Sequence, residues 1–226
     1  MLGPRIGLGE DSMDPHNGTM VVLGAVLLWF GWFGFNAGSS LAANGLAVNA
    51  FVVTNTAAAM AALTWMTVSW AHKGRPSVLG AATGAVAGLV AITPASGFVT
   101  ATAAILIGLG AGVICYWATQ LKGRLRVDDA LDVWAVHGIG GTWGAIATGL
   151  FATVAVNSAG ADGLFYGDPS LVLKQLLAVG VTWVYSAGVT WLVLKLVDLL
   201  VGLRVAEQDE VLGLDSSQHG EVAYQP

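Results

Sequence analysis

The chain has 226 residues, of which 55% are apolar and only 10% charged, with a formal net charge of -5. Its 9 basic residues are too few for a nucleic-acid-binding surface. No nucleophile paired with a base, no metal-ligand cluster and no phosphate loop supports an enzyme or calls for a cofactor.

The charges are gathered into a few places. Residues 1–19 mix Gly and Pro with Glu10, Asp11 and Asp14 and lack the apolar core of a signal peptide, so they read as a loop. Residues 15–72, 76–121, 133–161 and 175–194 contain no Asp, Glu, Lys or Arg, in runs of 58, 46, 29 and 20 residues. A crossing needs about 20 apolar residues, so the runs predict two, two, one and one helices. They are placed at Met20–Gly38, Leu46–Trp70, Val78–Ala91, Phe98–Leu121, Val133–Val156 and Leu171–Val201. The predicted fold class is an all-α membrane protein with six transmembrane helices in residues 20–201, followed by a tail, 202–226. Two readings are open for the short third helix, bounded by Pro94: little tilt, or a partly irregular segment shielded by other helices.

In the first helix, Trp29, Phe30, Trp32, Phe33 and Phe35 form an aromatic cluster. It reads either as a hydrophobic constriction or as a lipid-facing belt. Glycines recur every four residues at Gly34 and Gly38, at Gly80, Gly84 and Gly88, and at Gly140 and Gly144. Such faces let helices approach closely, which predicts a compact bundle and disfavours a large cavity. The scarce polar residues of the spans, among them Asn36, Ser39, Asn49, Thr54, Thr56, Thr67, Ser69 and Thr142, are expected mostly in helix-to-helix hydrogen bonds. Cys115, alone in an apolar span, reads as a buried, inert thiol.

Lys73 and Arg75 follow the second helix, Lys122, Arg124 and Arg126 the fourth, and Arg204 the sixth. Ser39–Gly45 and Thr93–Gly97 carry no basic residue, and Asp162 and Asp168 follow the fifth helix. By the positive-inside bias both termini are predicted to be cytoplasmic. Acidic residues of the tail, from Glu207 to Glu221, read as a solvated segment.

Asp128, Asp129 and Asp132 stand at the start of the fifth helix, where they are expected to cap its free amides. Deep in the spans there is no carboxylate, so a membrane-buried sodium or proton site has no obvious ligands. His137 is the single titratable side chain in residues 133–161. An ionisable group in hydrocarbon is costly, and is kept where it faces a packed interior or a conduction path. The competing reading is a core histidine satisfied by a neighbouring carbonyl. A cation entering a narrow apolar bundle loses its hydration at great cost, whereas a small neutral molecule does not. A neutral imidazole offers one donor and one acceptor, so it can orient a small polar solute or pass a proton.

Four segments carry a family resemblance. They are Gly31-Trp-Phe-Gly-Phe-Asn-Ala-Gly-Ser39, Gly74-Arg-Pro-Ser-Val-Leu-Gly80, Arg126-Val-Asp-Asp-Ala-Leu-Asp-Val-Trp-Ala-Val-His137-Gly138, and a tail with Gly202-Leu-Arg-Val, Gly213-Leu-Asp and His219-Gly-Glu-Val-Ala-Tyr224. Together they resemble the Amt/Rh ammonium transporter family, on the Amt side, from about Pro4 onward.

The resemblance implies an eleven-helix bundle of two inverted repeats and a last long helix, assembled as a homotrimer with one narrow pore per subunit. This chain looks like the second repeat, the last helix and the tail. By matching motif, His137 resembles the second of the paired pore histidines, Phe35 one of the outer-gate phenylalanines, and Ser39 the hydroxyl of the outer ammonium site. Trp32 and Val133 fall at pore-lining positions. The implied substrate is ammonium or ammonia, the implied surroundings are the lipid bilayer of the plasma membrane, and in many members a PII-type regulator meets the tail. The first pore histidine, the other gate phenylalanine, the recruitment-site tryptophan and the first-repeat aspartate have no counterpart here. His16 and His72, in predicted cytoplasmic loops, and His219, in the tail, do not replace the missing histidine. Trp134 stands beside a pore position where a smaller aromatic is usual. Leu2–Asn17 already resembles the end of the fifth family helix and its loop, so a partial reading frame is expected. Three functions follow from the resemblance: ammonium transport, an ammonium sensor or regulatory membrane protein, and a non-functional fragment.

Overall fold

The computed structural model describes residues 2–10 and 13–222. Asp11 and the tail residues 223–226, with Tyr224, lie outside the described residues. The order is α1 (Gly18–Ala37), α2 (Gly45–Lys73), α3 (Val78–Ile92), α4 (Ala101–Arg124), a π-helical turn (Trp134–Ile139) running into α5 (Gly140–Phe151), α6 (Ser170–Leu200) and a short tail helix α7 (Glu207–Leu212). Small polar residues set the starts. Asn17, Asn44, Ser77 and Thr100 accept from the amides of Met20, Ala47, Gly80 and Ala103. α2 stops at Gly74, whose φ of 75° returns its amide to the Trp70 carbonyl.

Among the described residues four helices are long and apolar enough to cross a bilayer: Gly18–Ser40, Gly45–Lys73, Ala101–Arg124 and Ser170–Leu200. The 15 residues of α3 reach about 22 Å, short of the ~30 Å hydrocarbon core.

α2, α3 and α4 form the packed centre. A Cβ added to Gly88 of α3 would lie 2.5 Å from the Ala57 carbonyl oxygen, and one on Gly108 of α4 2.4 Å from the same atom. The side chains between these backbones are correspondingly small, with Ala57, Ala58, Ala61, Ala91, Ala104 and Ala111 fully buried. α5 packs on α3 and α4.

The compact bundle predicted from the glycines is confined to this centre. Gly34 and Gly38 have nothing within 4 Å of an added Cβ. α1 buries Asn36 alone, and α6 buries no residue. Among the described helical elements α6 touches only α5 and the turn Leu164–Tyr166. Between α5 and α6 lies an open groove of about 1020 Å³, against the expectation of a bundle with no large cavity.

Two predicted boundaries move for local reasons. The fourth helix starts at Ala101 rather than Phe98, because residues 93–100 form hydrogen-bonded turns around Pro94 and Gly97, the latter at φ 81°. The fifth ends at Phe151 rather than Val156. Ala152 is extended, the Thr153 amide donates to the Phe98 carbonyl, and the Val154 amide donates to Asp162, so the apolar run after Phe151 is spent in a tied loop. His72, predicted in a loop, lies in the last turn of α2, where a basic side chain suits the negative end of the helix dipole. Its Nδ1 is 2.7 Å from the Tyr116 hydroxyl.

The polar residues of the spans meet the expectation in part. Asn36 does reach another helix, donating to the Thr54 hydroxyl at 2.9 Å. Thr142 likewise accepts from Trp183 of α6, whereas the hydroxyls of Thr56, Thr67 and Ser69 donate to carbonyls of their own helix. Asn49 keeps a buried Oδ1 with no hydrogen-bond partner among the described residues.

Candidate functional site

The site is built around the π-helical turn Trp134–Ile139. Such wide turns are rare and concentrate at functional positions. Val136 points inward, buried with Trp65, Val90, Cys115 and Tyr116. His137, the next residue, is exposed and lines the groove with Trp134, Thr142, Gln175, Thr182 and Trp183. Its ring makes no hydrogen bond among the described residues. The core-histidine reading, which needs a neighbouring carbonyl, therefore finds no partner here. Val133, one turn earlier, is 48% exposed.

α1 divides the aromatic cluster among separate surroundings. Trp32 packs against the same buried group as Val136, and its indole Nε1–H donates to the Thr93 hydroxyl at 2.7 Å. Phe33 stacks on Phe51 of α2 with ring centres 4.1 Å apart. Phe30 is 76% exposed. Phe35 meets Trp32 edge-on at 5.8 Å and is 62% exposed. The Ser39 hydroxyl is exposed and donates to the Phe35 carbonyl at 2.5 Å. The structure thus brings Trp32 into one cluster with the neighbour of His137, and ties Ser39 to Phe35 in and just beyond the last turn of α1.

Of the three aspartates expected to cap the fifth helix, Asp129 alone does so. Its carboxylate accepts the amides of Val133 at 3.0 Å and Trp134 at 2.8 Å. Asp132 is turned away by its left-handed backbone, φ 55°, and pairs with Lys122 at 2.6 Å. The Lys122 ammonium also donates to the Asp129 carbonyl. Asp128 is taken by Arg5, whose amide donates to it at 2.7 Å and whose guanidinium lies 2.8 Å away. The Arg5 amide bond first, and its guanidinium after, hold the Asp128 carboxyl below the usual carboxylate range.

The tail meets the same end of the molecule. Arg204 grips both carboxylate oxygens of Glu210 at 2.8–3.1 Å and donates to the Leu2 carbonyl. Glu210 also accepts the Ile6 amide at 2.8 Å. That amide bond and the Arg204 side chain lower the Glu210 carboxyl from its ordinary value.

The model of the Ammonium Transporter Family matches residues 1–224 of the chain. The chain belongs to the ammonium transporter family. It is 56% identical over 215 residues to an ammonium transporter of Bacillus subtilis, covering 95% of this chain and 53% of that protein. To the ammonium transporter Amt1 of Archaeoglobus fulgidus it is 53% identical over 223 residues, covering 99% of this chain and 56% of that one. The crystal structure of Candida albicans Mep2 superposes with a TM-score of 0.85 at 37% identity, over 92% of this chain and 48% of that chain. A structure described as a sensor Amt protein superposes with a TM-score of 0.83 at 31% identity, over 96% and 54%. The chain therefore spans about half the length of the curated relatives it matches.

As a member of the ammonium transporter family the chain is an all-helical, membrane-embedded protein with several apolar helices. Arg5, Thr93 and Trp183 are contact residues that sequence reasoning did not single out. Their partners lie 123, 61 and 41 positions away in the chain, and no local pattern announces such pairs.

Proposed function

We propose that this chain takes part in moving ammonium or ammonia across a membrane, with His137 as its conduction histidine. The observation that carries the reading is the imidazole on a π-helical turn, exposed to a groove yet backed by a fully packed core. In this reading the chain corresponds to the second inverted repeat, last helix and tail of an eleven-helix transporter. It crosses the plasma membrane six times with both of its ends cytoplasmic, and works as a homotrimer. The absence of a carboxylate deep in the spans disfavours passage of a bare cation, since nothing there replaces the lost hydration. A neutral ammonia molecule suits the apolar walls, with the imidazole offering one donor and one acceptor. Trp32 and Val133 line the path, Phe35 forms part of its outer gate, and Ser39 contributes its hydroxyl to the outer ammonium site. Asp129 serves as the structural start of the helix that carries His137.

The test is methylammonium uptake by liposomes containing the protein as its cells make it. His137→Ala is expected to change uptake or its proton coupling while leaving the oligomer intact by native mass. Unchanged uptake and coupling would reject the assignment.

A second reading is an ammonium sensor or regulatory protein that meets a PII-type partner through its tail. It is supported by the likeness to a sensor Amt protein and by the Arg204–Glu210–Ile6 link, which joins the tail to the start of the chain. Deleting Glu207–Pro226 is expected to alter regulator binding or activity without affecting membrane insertion. A deletion that changes neither would remove this reading.

A further inference from the structure

α6 is almost free of the bundle, and one side chain ties it to the helix that carries His137. The Trp183 indole Nε1–H donates to the Thr142 hydroxyl at 2.9 Å, and that hydroxyl donates to the Gly138 carbonyl at 2.8 Å. Gly138 follows His137 directly and belongs to the same π-helical turn. Each link meets a chemical need. An indole N–H in apolar surroundings seeks an acceptor, and a backbone carbonyl has a second lone pair available to a side-chain donor. A hydroxyl that accepts from one group and donates to another polarises both bonds in the same sense.

A second close contact between α5 and α6 is steric. A Cβ on Gly149 would stand 2.9 Å from the Val172 Cα, so this contact limits how near the helices come. The Trp183 tie is directional instead, and it reaches the turn of the imidazole itself. On the opposite side that turn is held by Val136, which is buried against Tyr116 and Cys115. The turn that bears His137 is thus held from behind by the packing of Val136 and, through the Gly138 carbonyl, by a hydrogen-bonded relay.

We propose that Trp183 and Thr142 are positioning residues that set the orientation of the His137 ring toward the groove. The consequence for conduction rests on the reading of His137 given above, whereas the orientation itself does not. The protein as its cells make it, with labelled histidine and embedded in lipid nanodiscs, gives a direct readout: the His137 ring resonances at one fixed pH. They are assigned by their loss in His137→Ala. Trp183→Phe removes the donor together with part of the ring, and Thr142→Val removes the relay with little change in bulk. Both are expected to move the His137 resonances in the same direction, the double variant no further than either single one, and Thr142→Ser hardly at all. In methylammonium uptake, Trp183→Phe and Thr142→Val are expected to lower the rate about three- to tenfold, the effect of losing one hydrogen bond, with Thr142→Ser within about twofold.

Unmoved resonances in Trp183→Phe would overturn the proposal, including where the variant unfolds at lower temperature, since that pattern describes a purely structural tie. Moved resonances with unchanged uptake, where His137→Ala abolishes uptake, would overturn its part in conduction. If His137→Ala itself leaves uptake unchanged, the conduction reading falls, and the resonances still decide whether Trp183 orients the ring.

Discussion

Gly144 of α5 rests on the carbonyl of Ala91 in α3, so closely that an added Cβ would stand 2.2 Å from the Ala91 oxygen. Backbone, unlike a side-chain tip, has no rotamer by which to move aside. Gly144→Ala is therefore expected to force α5 away from α3 and to cost about 1–3 kcal/mol, as overpacking of a dense interior does. Gly24→Ala on α1 meets nothing within 4 Å. That change is expected to be neutral or to stabilise by about 0.5–1 kcal/mol through helix propensity. Thermal unfolding of both variants in detergent, followed by tryptophan fluorescence, separates them. Equal melting temperatures would show that α5 does not depend on this contact.

Asn36 and Thr54 make a buried pair between the outlying α1 and the central α2, with the amide donating to the hydroxyl. The Thr54 hydroxyl donates to the Ala50 carbonyl, so its oxygen is free to accept. Thr54→Val keeps the shape and removes the acceptor. The Asn36 amide is then left buried and unpaired, at a cost of about 1–3 kcal/mol. Asn36→Leu in the same background is expected to recover part of that loss, because the orphaned donor is gone. Chemical denaturation of the two single variants and the double variant measures the coupling.

Much of this architecture was legible in the chain, and the reasons it was differ from residue to residue. The first, second and sixth helices fall within about three residues of their predicted ends, because Asn17, Asn44 and Pro169 stand just before them and Gly38, Gly74 and Gly202 just after. Gly84, Gly88 and Gly144 announce close approach through their spacing and do approach closely. The same spacing at Gly34 and Gly38 finds no neighbour among the described residues, since spacing records what a face can do and not what covers it. The end of the fifth helix was hidden because Val154 and Val156 are as apolar as the helix before them. What stops the helix is the bond from Thr153 to Phe98 and the bond from Val154 to Asp162. At the site, the isolation of His137 was visible, but the Trp183 relay joins residues 41 positions apart, which no local pattern encodes.

The ion pair of Arg5 with Asp128 gives the loop before the π-helical turn a dependence on pH. The Asp128 carboxyl is held below its ordinary value by the Arg5 amide and guanidinium. A lowered folded-state value means that the stabilisation is fully present above the ordinary carboxylate range. It is lost as pH falls through the lowered value. Asp128→Asn retains an acceptor for the Arg5 amide and loses the charge, and for a partly exposed pair the expected cost at neutral pH is about 0.2–1 kcal/mol. The difference in melting temperature between native protein and Asp128→Asn should shrink toward zero in strong acid. A difference that persists unchanged there would mean that the charge of Asp128 is not what stabilises the contact.

Asp129 has the more direct hold on the site, because its two oxygens take the amides of Val133 and Trp134 at the head of the π-helical turn. Without them these donors face the exposed loop unpaired, and nothing nearby substitutes: Asp128 is engaged by Arg5 and Asp132 by Lys122. Asp129→Ala is expected to destabilise the protein by about 0.5–2 kcal/mol, the range for losing an N-terminal cap. The loss should be local first, since Val136 is anchored in the core while Val133 and Trp134 are not. Hydrogen–deuterium exchange is therefore expected to quicken at 133–135 and to stay slow at the buried centre of α4. Asp129→Asn, which keeps one carbonyl acceptor, should lie between the two. Were exchange to rise equally in α4, the cap would be holding the whole bundle together rather than the turn that bears His137.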